Sequence, residues 1–192
     1  MPNWAYTRYF VDGDRKQIEE LHGIMAELES MESPLHENGF GTTWLGNLVI
    51  KLGGDWKKIY CRGSWGDLDL DEYGLLYFTT ETAWNELNEV RHLIEEKFPK
   101  LLIYYQAEEP GMGIYQTNDN TGQYFPEEFM LDVEDMGPNY IEDLDQLCEQ
   151  VEDITGSKHL NTMDSCYKAL KSYSKRNGDC YYSLVRFEVV DD

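Results

Sequence analysis

The sequence predicts an α+β fold built on a ferredoxin-like antiparallel sheet with two helices on one face. Three observations predict it. Aromatic and β-branched residues fall in short runs that are typical of strands. Apolar residues recur every three or four positions in two longer segments, which is typical of amphipathic helices. The order of the segments over residues 4–106 is strand, helix, strand, strand, helix, strand, and this order suits a ferredoxin-like sheet.

Turn and helix-stop signals set the bounds of these six elements. Trp4–Val11 is rich in aromatic and β-branched residues, and Asp14, after the following turn, is a good helix N-cap. Thr80 offers a hydroxyl cap for the second helix, and Pro99 ends that helix because proline cannot continue it. The predicted elements cover residues 4–11, 15–30, 57–61, 74–79, 80–98 and 101–106, with a short helix at 44–52.

The second half of the chain predicts additions to this sheet. Residues 113–117 and 124–125 indicate an added hairpin around the turn sequence NDNTG, and residues 129–133 alternate as a further strand. Helices at 139–154 and 162–175 and a strand at 181–190 follow. We therefore expect a ferredoxin-like domain with an added hairpin over residues 1–133. An acidic extension over residues 134–192 is expected to pack on the same core, although two separate modules also fit the pattern.

Charge is the outlying property of the composition. The chain has 37 acidic and 16 basic residues and a formal net charge of −21, which repels nucleic acid and anionic membranes. No apolar run approaches the roughly 18 residues of a membrane span, and the N-terminus lacks a secretion signal. The four scattered cysteines favour reduced thiols in the cytoplasm. We expect no cofactor, no structural metal and no direct nucleic-acid binding, with the aromatic rings in the core or at its rim.

Several segments resemble the YubB-type ferredoxin-like family of plasmid, phage and conjugative-element proteins. These segments are the opening MPNW, WLGN, YCRGSW, the run YFTTETAWNELNEVRHLIEEKFP and the following YYQAEEPGMGIY. The resemblance covers roughly residues 1–133 and implies the ferredoxin-like fold and a mobile-element context. It implies no catalytic residues.

The longest one-signed stretch lies in the second half. Residues 101–157 contain 14 Asp or Glu and no Lys or Arg. On a helix, four of these carboxylates share one face at spacings of three, four and three, opposite an apolar face. They are Glu142, Asp145, Glu149 and Glu152. A solvated face that keeps the protein soluble explains this pattern, and so does an electrostatic docking surface for a basic partner.

Two other acidic segments are weaker candidates. Asp67, Asp69 and Asp71 invite a metal site, but Glu72 and Phe78 stand where a calcium loop needs Gly and Glu, so an acidic edge strand is the alternative. Glu108 or Glu109 could act as a general base in a cleft, whereas the following glycines also fit a simple turn at a strand end.

These patterns favour a non-enzymatic acidic interaction protein of a mobile genetic element. Its partner would be a basic host protein, and the acidic face could imitate nucleic acid as an anti-defence device. A small carboxylate-using or metal-dependent enzyme is one alternative. A structural or regulatory homodimer that pairs through a sheet edge is the other, so both monomer and homodimer remain open.

Overall fold

The computed structural model describes residues 3–191, so Met1, Pro2 and Asp192 lie outside it. No helix in this range is long and apolar enough to cross a bilayer. The strands are β1 (Trp4–Gly13), β2 (Gly63–Leu70), β3 (Leu76–Ala83), β4 (Leu101–Glu109), β5 (Ile114–Thr117), β6 (Phe129–Val133), β7 (Gly137–Ile141), β8 (Tyr182–Arg186) and β9 (Glu188–Val189). The helices are α1 (Arg15–Glu29), α2 (Leu45–Lys51), α3 (Asn88–Lys97), α4 (Leu144–Thr155) and α5 (Met163–Arg176).

The chain divides into two compact units. The first comprises residues 3–119 with residue 191, and the second comprises residues 120–190. This division comes earlier in the chain than the predicted boundary between residues 133 and 134. The reason is that β6, which the sequence analysis assigned to the first domain, pairs with β7 and β8 in a sheet of its own.

The first unit has the predicted ferredoxin-like sheet. Its strands are ordered β2-β3-β1-β4, every pairing is antiparallel, and β5 adds to the β4 side. Along β1 the side chains of Ala5, Thr7, Tyr9 and Val11 are buried, and the intervening ones are exposed or half-buried. This alternation is typical of a sheet that has one face under helices and the other toward water. The α+β class is therefore confirmed.

The predicted strand at residues 57–61 is wrong. The carbonyl of Asp55 accepts hydrogen bonds from the amides of Lys58 and Ile59, so this segment forms a turn instead. The strand β2 begins two residues later, at Gly63, where it pairs with β3. The turn leaves Tyr60 exposed rather than aligned in a sheet.

The predicted start of the second helix at Thr80 is also wrong. The backbone of residues 79–83 pairs with β1 on one side and, for most of its length, with β2 on the other, so β3 continues to Ala83. β-branched threonines fit such a pleated and buried position better than a helix start. The chain turns at Trp84, which has a positive φ of 80°, and α3 begins at Asn88.

The added hairpin differs from the predicted one. β5 folds back on β4 through a turn at residues 110–113, and Tyr124 and Phe125 belong to no strand. Residues 139–141, predicted as the start of a helix, belong instead to β7, which pairs with β6. The helix α4 starts only after this strand, at Leu144.

The second unit is a three-stranded antiparallel sheet with two helices. Its strands are ordered β7-β6-β8, and α4 and α5 connect β7 to β8. Apolar side chains of both helices and the sheet form one buried cluster. Its largest fully buried members are Ile141, Leu147 and Leu170.

A buried ion pair joins α3 to the core of the first unit. Arg91, 3% exposed, donates from Nε to a carboxylate oxygen of Glu86, 7% exposed, at 3.1 Å. The hydroxyl of Tyr9 donates to the same oxygen at 3.2 Å, and the Arg91 guanidinium lies 5.1 Å from the ring centre of Tyr105. Buried charges are tolerated when they are paired and hydrogen-bonded, as they are here.

Removing one partner of this pair should destabilise the fold strongly. We expect Arg91→Leu to lower the free energy of unfolding by about 3–5 kcal/mol, because it leaves Glu86 charged or protonated without its cation in the core. The double variant Glu86→Leu/Arg91→Leu should lose less, since it leaves no unpaired charge in the core; Glu95, the second partner of Arg91, is 34% exposed. Urea denaturation of the three proteins measures this, and a double variant less stable than Arg91→Leu would contradict it.

Candidate functional site

Local hydrogen bonds define both ends of α4. The carboxylate of Asp143 caps the N-terminus by accepting from the Gln146 amide at 2.8 Å, and Gly156 ends the helix in the left-handed conformation. The guanidinium of Arg176 donates to the carbonyl of Thr155 at 3.2 Å. This cation satisfies a terminal carbonyl and opposes the negative end of the helix dipole.

The four predicted carboxylates do not form one free helical face. Glu142 is exposed but precedes the helix, while Asp145 and Glu149 are exposed on it. Glu152 is only half exposed, and its carboxylate accepts from the amide of Leu160 at 2.7 Å. Its role is therefore to hold the connection between α4 and α5.

The exposed acidic row of α4 consists of Asp145, Glu149 and Asp153, which lie one turn apart. Like charges at this spacing cost about 0.2–0.5 kcal/mol per pair. Within residues 3–191 none of the three forms an ion pair with Lys or Arg. On α5, by contrast, Lys168 pairs with Asp164 at 2.5 Å and the last turn carries two basic residues. We refer to Asp145, Glu149 and Asp153 as the acidic row.

Two of the three weak metal candidates, Asp67 and Asp71, are engaged by local hydrogen bonds. Asp67, in β2, accepts from the hydroxyl of Thr79 at 2.9 Å. Asp71 accepts from the amides of Tyr73 and Leu75 in the turn that leads to β3. In the described part of the chain no three His, Cys, Asp or Glu residues are grouped so that they could hold a metal ion. Asp67, Asp69 and Asp71 therefore form no such group, and β2 lies at an edge of the sheet.

The two candidate general bases, Glu108 and Glu109, lie at the end of β4. Glu109 is 2% exposed, and its two oxygens accept from the amides of Gly111 and Met112 at 3.0 and 2.5 Å. It therefore stabilises the turn between β4 and β5. Glu108 is half-buried in β4, where it pairs across the sheet with Tyr6 and Tyr115.

A cavity that the sequence analysis did not identify lies in the first unit. It has a volume of about 470 Å³ and lies between the loop of residues 36–44 and the turn and strand lead-in of residues 56–62. Its aromatic cluster consists of His36, Trp44 and Trp56. The His36 and Trp56 ring centres are 4.5 Å apart, and those of Trp44 and Trp56 are 5.4 Å apart at an interplanar angle of 71°.

The cavity lining is basic, unlike the chain as a whole. Lys57, Lys58 and Arg62 line it, with Glu37 as its acidic residue. The signal for this was the stretch WKKIYCR, in which three of the 16 basic residues fall within six positions beside Trp and Tyr. Residues 57–61 of that stretch are predicted as a strand. A strand would point alternate side chains to opposite faces, so the basic side chains would not be expected to line one cavity.

The thiols of Cys61 and Cys166 are unreactive near neutral pH. Burial raises the pKa of Cys61 to about 11. Burial, together with a hydrogen bond to Cys148, raises the pKa of Cys166 to about 12, and the two sulfurs are 3.5 Å apart. Because the thiolate is the reactive form, neither Cys61 nor Cys166 is a nucleophile near neutral pH.

Comparison of the chain with family models, with curated proteins and with solved structures gave no match. The resemblance to YubB-type proteins therefore stays a prediction.

Glu152 and Glu149 should respond differently to neutralisation. We expect Glu152→Gln to lower the free energy of unfolding by about 1 kcal/mol, because the Gln carbonyl can still accept from the Leu160 amide but without the help of a charge. Glu149→Gln should instead raise it, by about 0.4–1 kcal/mol, since it relieves two like-charge pairs. Thermal and urea denaturation measure both changes, and equal effects would contradict the assignment of Glu152 to the loop.

Stability should fall at alkaline pH as thiols that are protonated in the fold ionise on unfolding. The pKa of Cys61 is about 11 in the folded protein and 9.0 without burial, so its contribution is complete below about pH 9 and is lost as the pH rises toward 11. The slope is about 1.4 kcal/mol per pH unit for each such group. Cys61→Ala should reduce the slope of a urea-denaturation series over this range, and an unchanged slope would contradict the burial argument.

Proposed function

We propose that the chain is a non-enzymatic binding protein whose acidic second unit docks on a basic protein surface. The single observation that carries this proposal is the acidic row on α4. Its three carboxylates are exposed and lie one turn apart, and they lack cationic partners within residues 3–191. Repulsion within the row lowers the stability of the helix. A basic partner would relieve this repulsion and would fix the orientation of the two proteins in the complex.

The proposed partner is a basic host protein in the cytoplasm. A mobile-element protein could use the acidic row, with Glu142 beside it, to occupy a surface that normally holds DNA, with carboxylates in the place of phosphates. The net charge of −21 would steer the protein toward cationic surfaces, whether or not they hold DNA. The structural roles of Glu109, Asp67 and Asp71 favour binding over carboxylate or metal catalysis.

Neutralisation of the acidic row tests the proposal. The variant Asp145→Asn/Glu149→Gln/Asp153→Asn should weaken partner binding by roughly 3- to 100-fold, since three exposed ion pairs are each worth about 0.2–1 kcal/mol. The salt dependence of binding should also flatten. Immobilised protein incubated with host lysate at low and high salt identifies the partners, and titration of each purified partner measures affinity.

The matched control carries the same change in net charge elsewhere. Glu20, Glu29 and Glu32 are exposed residues of the first unit, and their replacement by Gln should leave partner affinity within about twofold. Equal losses in both variants would mean that only net charge matters. Unchanged binding in the α4 variant would reject the acidic row as the docking surface. Competition between the protein and DNA for the purified partner distinguishes nucleic-acid mimicry from docking elsewhere.

A further inference from the structure

We propose that the cavity between residues 36–44 and 56–62 of the first unit binds a mononucleotide. Its base would pack against His36 and Trp56, the accessible rings of the aromatic cluster, which the buried Trp44 supports. Its phosphate would be held by Lys57 and Arg62. This site is independent of the acidic row on α4 and of the partner proposed for it.

The size and lining of the cavity fit a small planar ligand. A volume of about 470 Å³ lies within the range of roughly 300–1,000 Å³ for small-molecule sites. Besides the aromatic cluster, the lining contains Phe40 and Tyr60, whose side chain is 46% exposed. Aromatic rings that face a cavity bind nucleobases by stacking and accept any base, because each base has a π-face.

The charges of the cavity favour an anion. Lys57 and Arg62 are exposed, and no ion pair occupies either of them in the described part of the chain. The Lys57 ammonium lies 5.6 Å from the ring centre of Trp56, which places a cation directly beside the aromatic cluster. Lys58 contributes less, because its ammonium lies 3.7 Å from a carboxylate oxygen of Asp55. A phosphate next to a base would meet both kinds of group.

Hydrogen bonds hold the first wall of the cavity in place without a ligand. The fully buried amide of Asn47 donates to the carbonyls of Gly41 and Thr42, at 3.2 and 2.9 Å. Asn38 accepts from the amide of Phe40 at 2.6 Å and donates to the carbonyl of His36 at 2.9 Å. A loop fixed in this way loses little conformational entropy when a ligand binds.

The second wall is fixed to α3 and to its own turn. The amide of Tyr60 donates to a carboxylate oxygen of Glu89 at 2.9 Å. The amide of Lys57 donates to the side chain of Asp55 at 3.1 Å, and the thiol of Cys61 donates to the carbonyl of Trp56 at 3.7 Å. Both walls are therefore formed before binding, as is usual for small-molecule sites.

The net charge of the chain selects a mononucleotide over a nucleic acid strand. A strand brings a row of phosphates across the surface, and a protein with 37 acidic and 16 basic residues repels them. A mononucleotide presents its phosphate only inside the basic lining, where Lys57 and Arg62 lie.

Equilibrium binding to defined probes tests the proposal. Calorimetry with the full-length protein should show saturable binding of at least one nucleoside monophosphate with a Kd below about 1 mM. The matching nucleoside and inorganic phosphate should each bind at least tenfold more weakly. Lys57→Gln/Arg62→Gln should weaken nucleotide binding by about tenfold or more, and Trp56→Ala should do the same where thermal denaturation shows that it folds.

A matched variant and three outcomes decide the proposal. Lys16→Gln/Lys97→Gln removes two exposed cations outside the cavity lining and should leave the nucleotide affinity within about twofold. The proposal is overturned if no nucleoside monophosphate binds, or if inorganic phosphate binds as tightly as the nucleotide. It is also overturned if a single-stranded oligonucleotide binds more tightly than the mononucleotide to the same residues.

Discussion

The buried ion pair between Glu86 and Arg91 is the interaction on which the functional features of the first unit depend. The pair is local in sequence, since Glu86 lies just before α3. Tyr9 of β1 donates to Glu86, and the ring of Tyr105 in β4 lies beside the Arg91 guanidinium, so these contacts together hold α3 against the sheet. Through Glu89, α3 then holds the amide of Tyr60. Gly54 lies so close to Leu93 of α3 that an added Cβ would come within 2.8 Å of its side chain. The wall of the aromatic cavity is thus attached to the helix that the ion pair positions.

The two units treat charge in different ways. In the first unit, Arg91 forms a buried ion pair with Glu86. Arg62 lines the cavity. In the second unit, Lys168 pairs with Asp164 on α5, and Arg176 donates to the carbonyl of Thr155 at the end of α4. The acidic row is exposed to solvent. At physiological salt the screening length is about 8 Å, so a small ligand in the cavity interacts mainly with the charges close to it, whereas an extended strand would also meet the acidic surface around it. A chain with a charge of −21 can therefore contain a site for an anion.

The pattern of apolar residues predicted those helices and strands whose local preference agrees with their packing in the folded chain. The apolar positions Ile18, Leu21, Met25 and Leu28 are the buried face of α1. The strands β1, β4 and β6 fall where strands were predicted, β1 from its aromatic and β-branched residues and β6 from alternation. The failures were at places where a specific hydrogen-bond or strand partner decided the structure. Residues 79–83 have a helix-start pattern, yet partners on both sides hold them in β3. Glu152 has the spacing of a free surface carboxylate, but a backbone amide eight residues away engages it.

The aromatic cavity was hidden from the sequence because Trp44 and Trp56 become neighbours only through the turn at Asp55 and the loop fixed by Asn47. Its energetics also explain why a ligand must use both halves of the site. Stacking of one base on aromatic rings is worth about 1–3 kcal/mol, whereas a Kd of 1 mM requires about 4.1 kcal/mol. The remainder must come from the phosphate, and Lys57 and Arg62 are the cations available for it. A ligand that carries only a base or only a phosphate therefore falls short of useful affinity, and this makes the cavity selective for a molecule that joins the two.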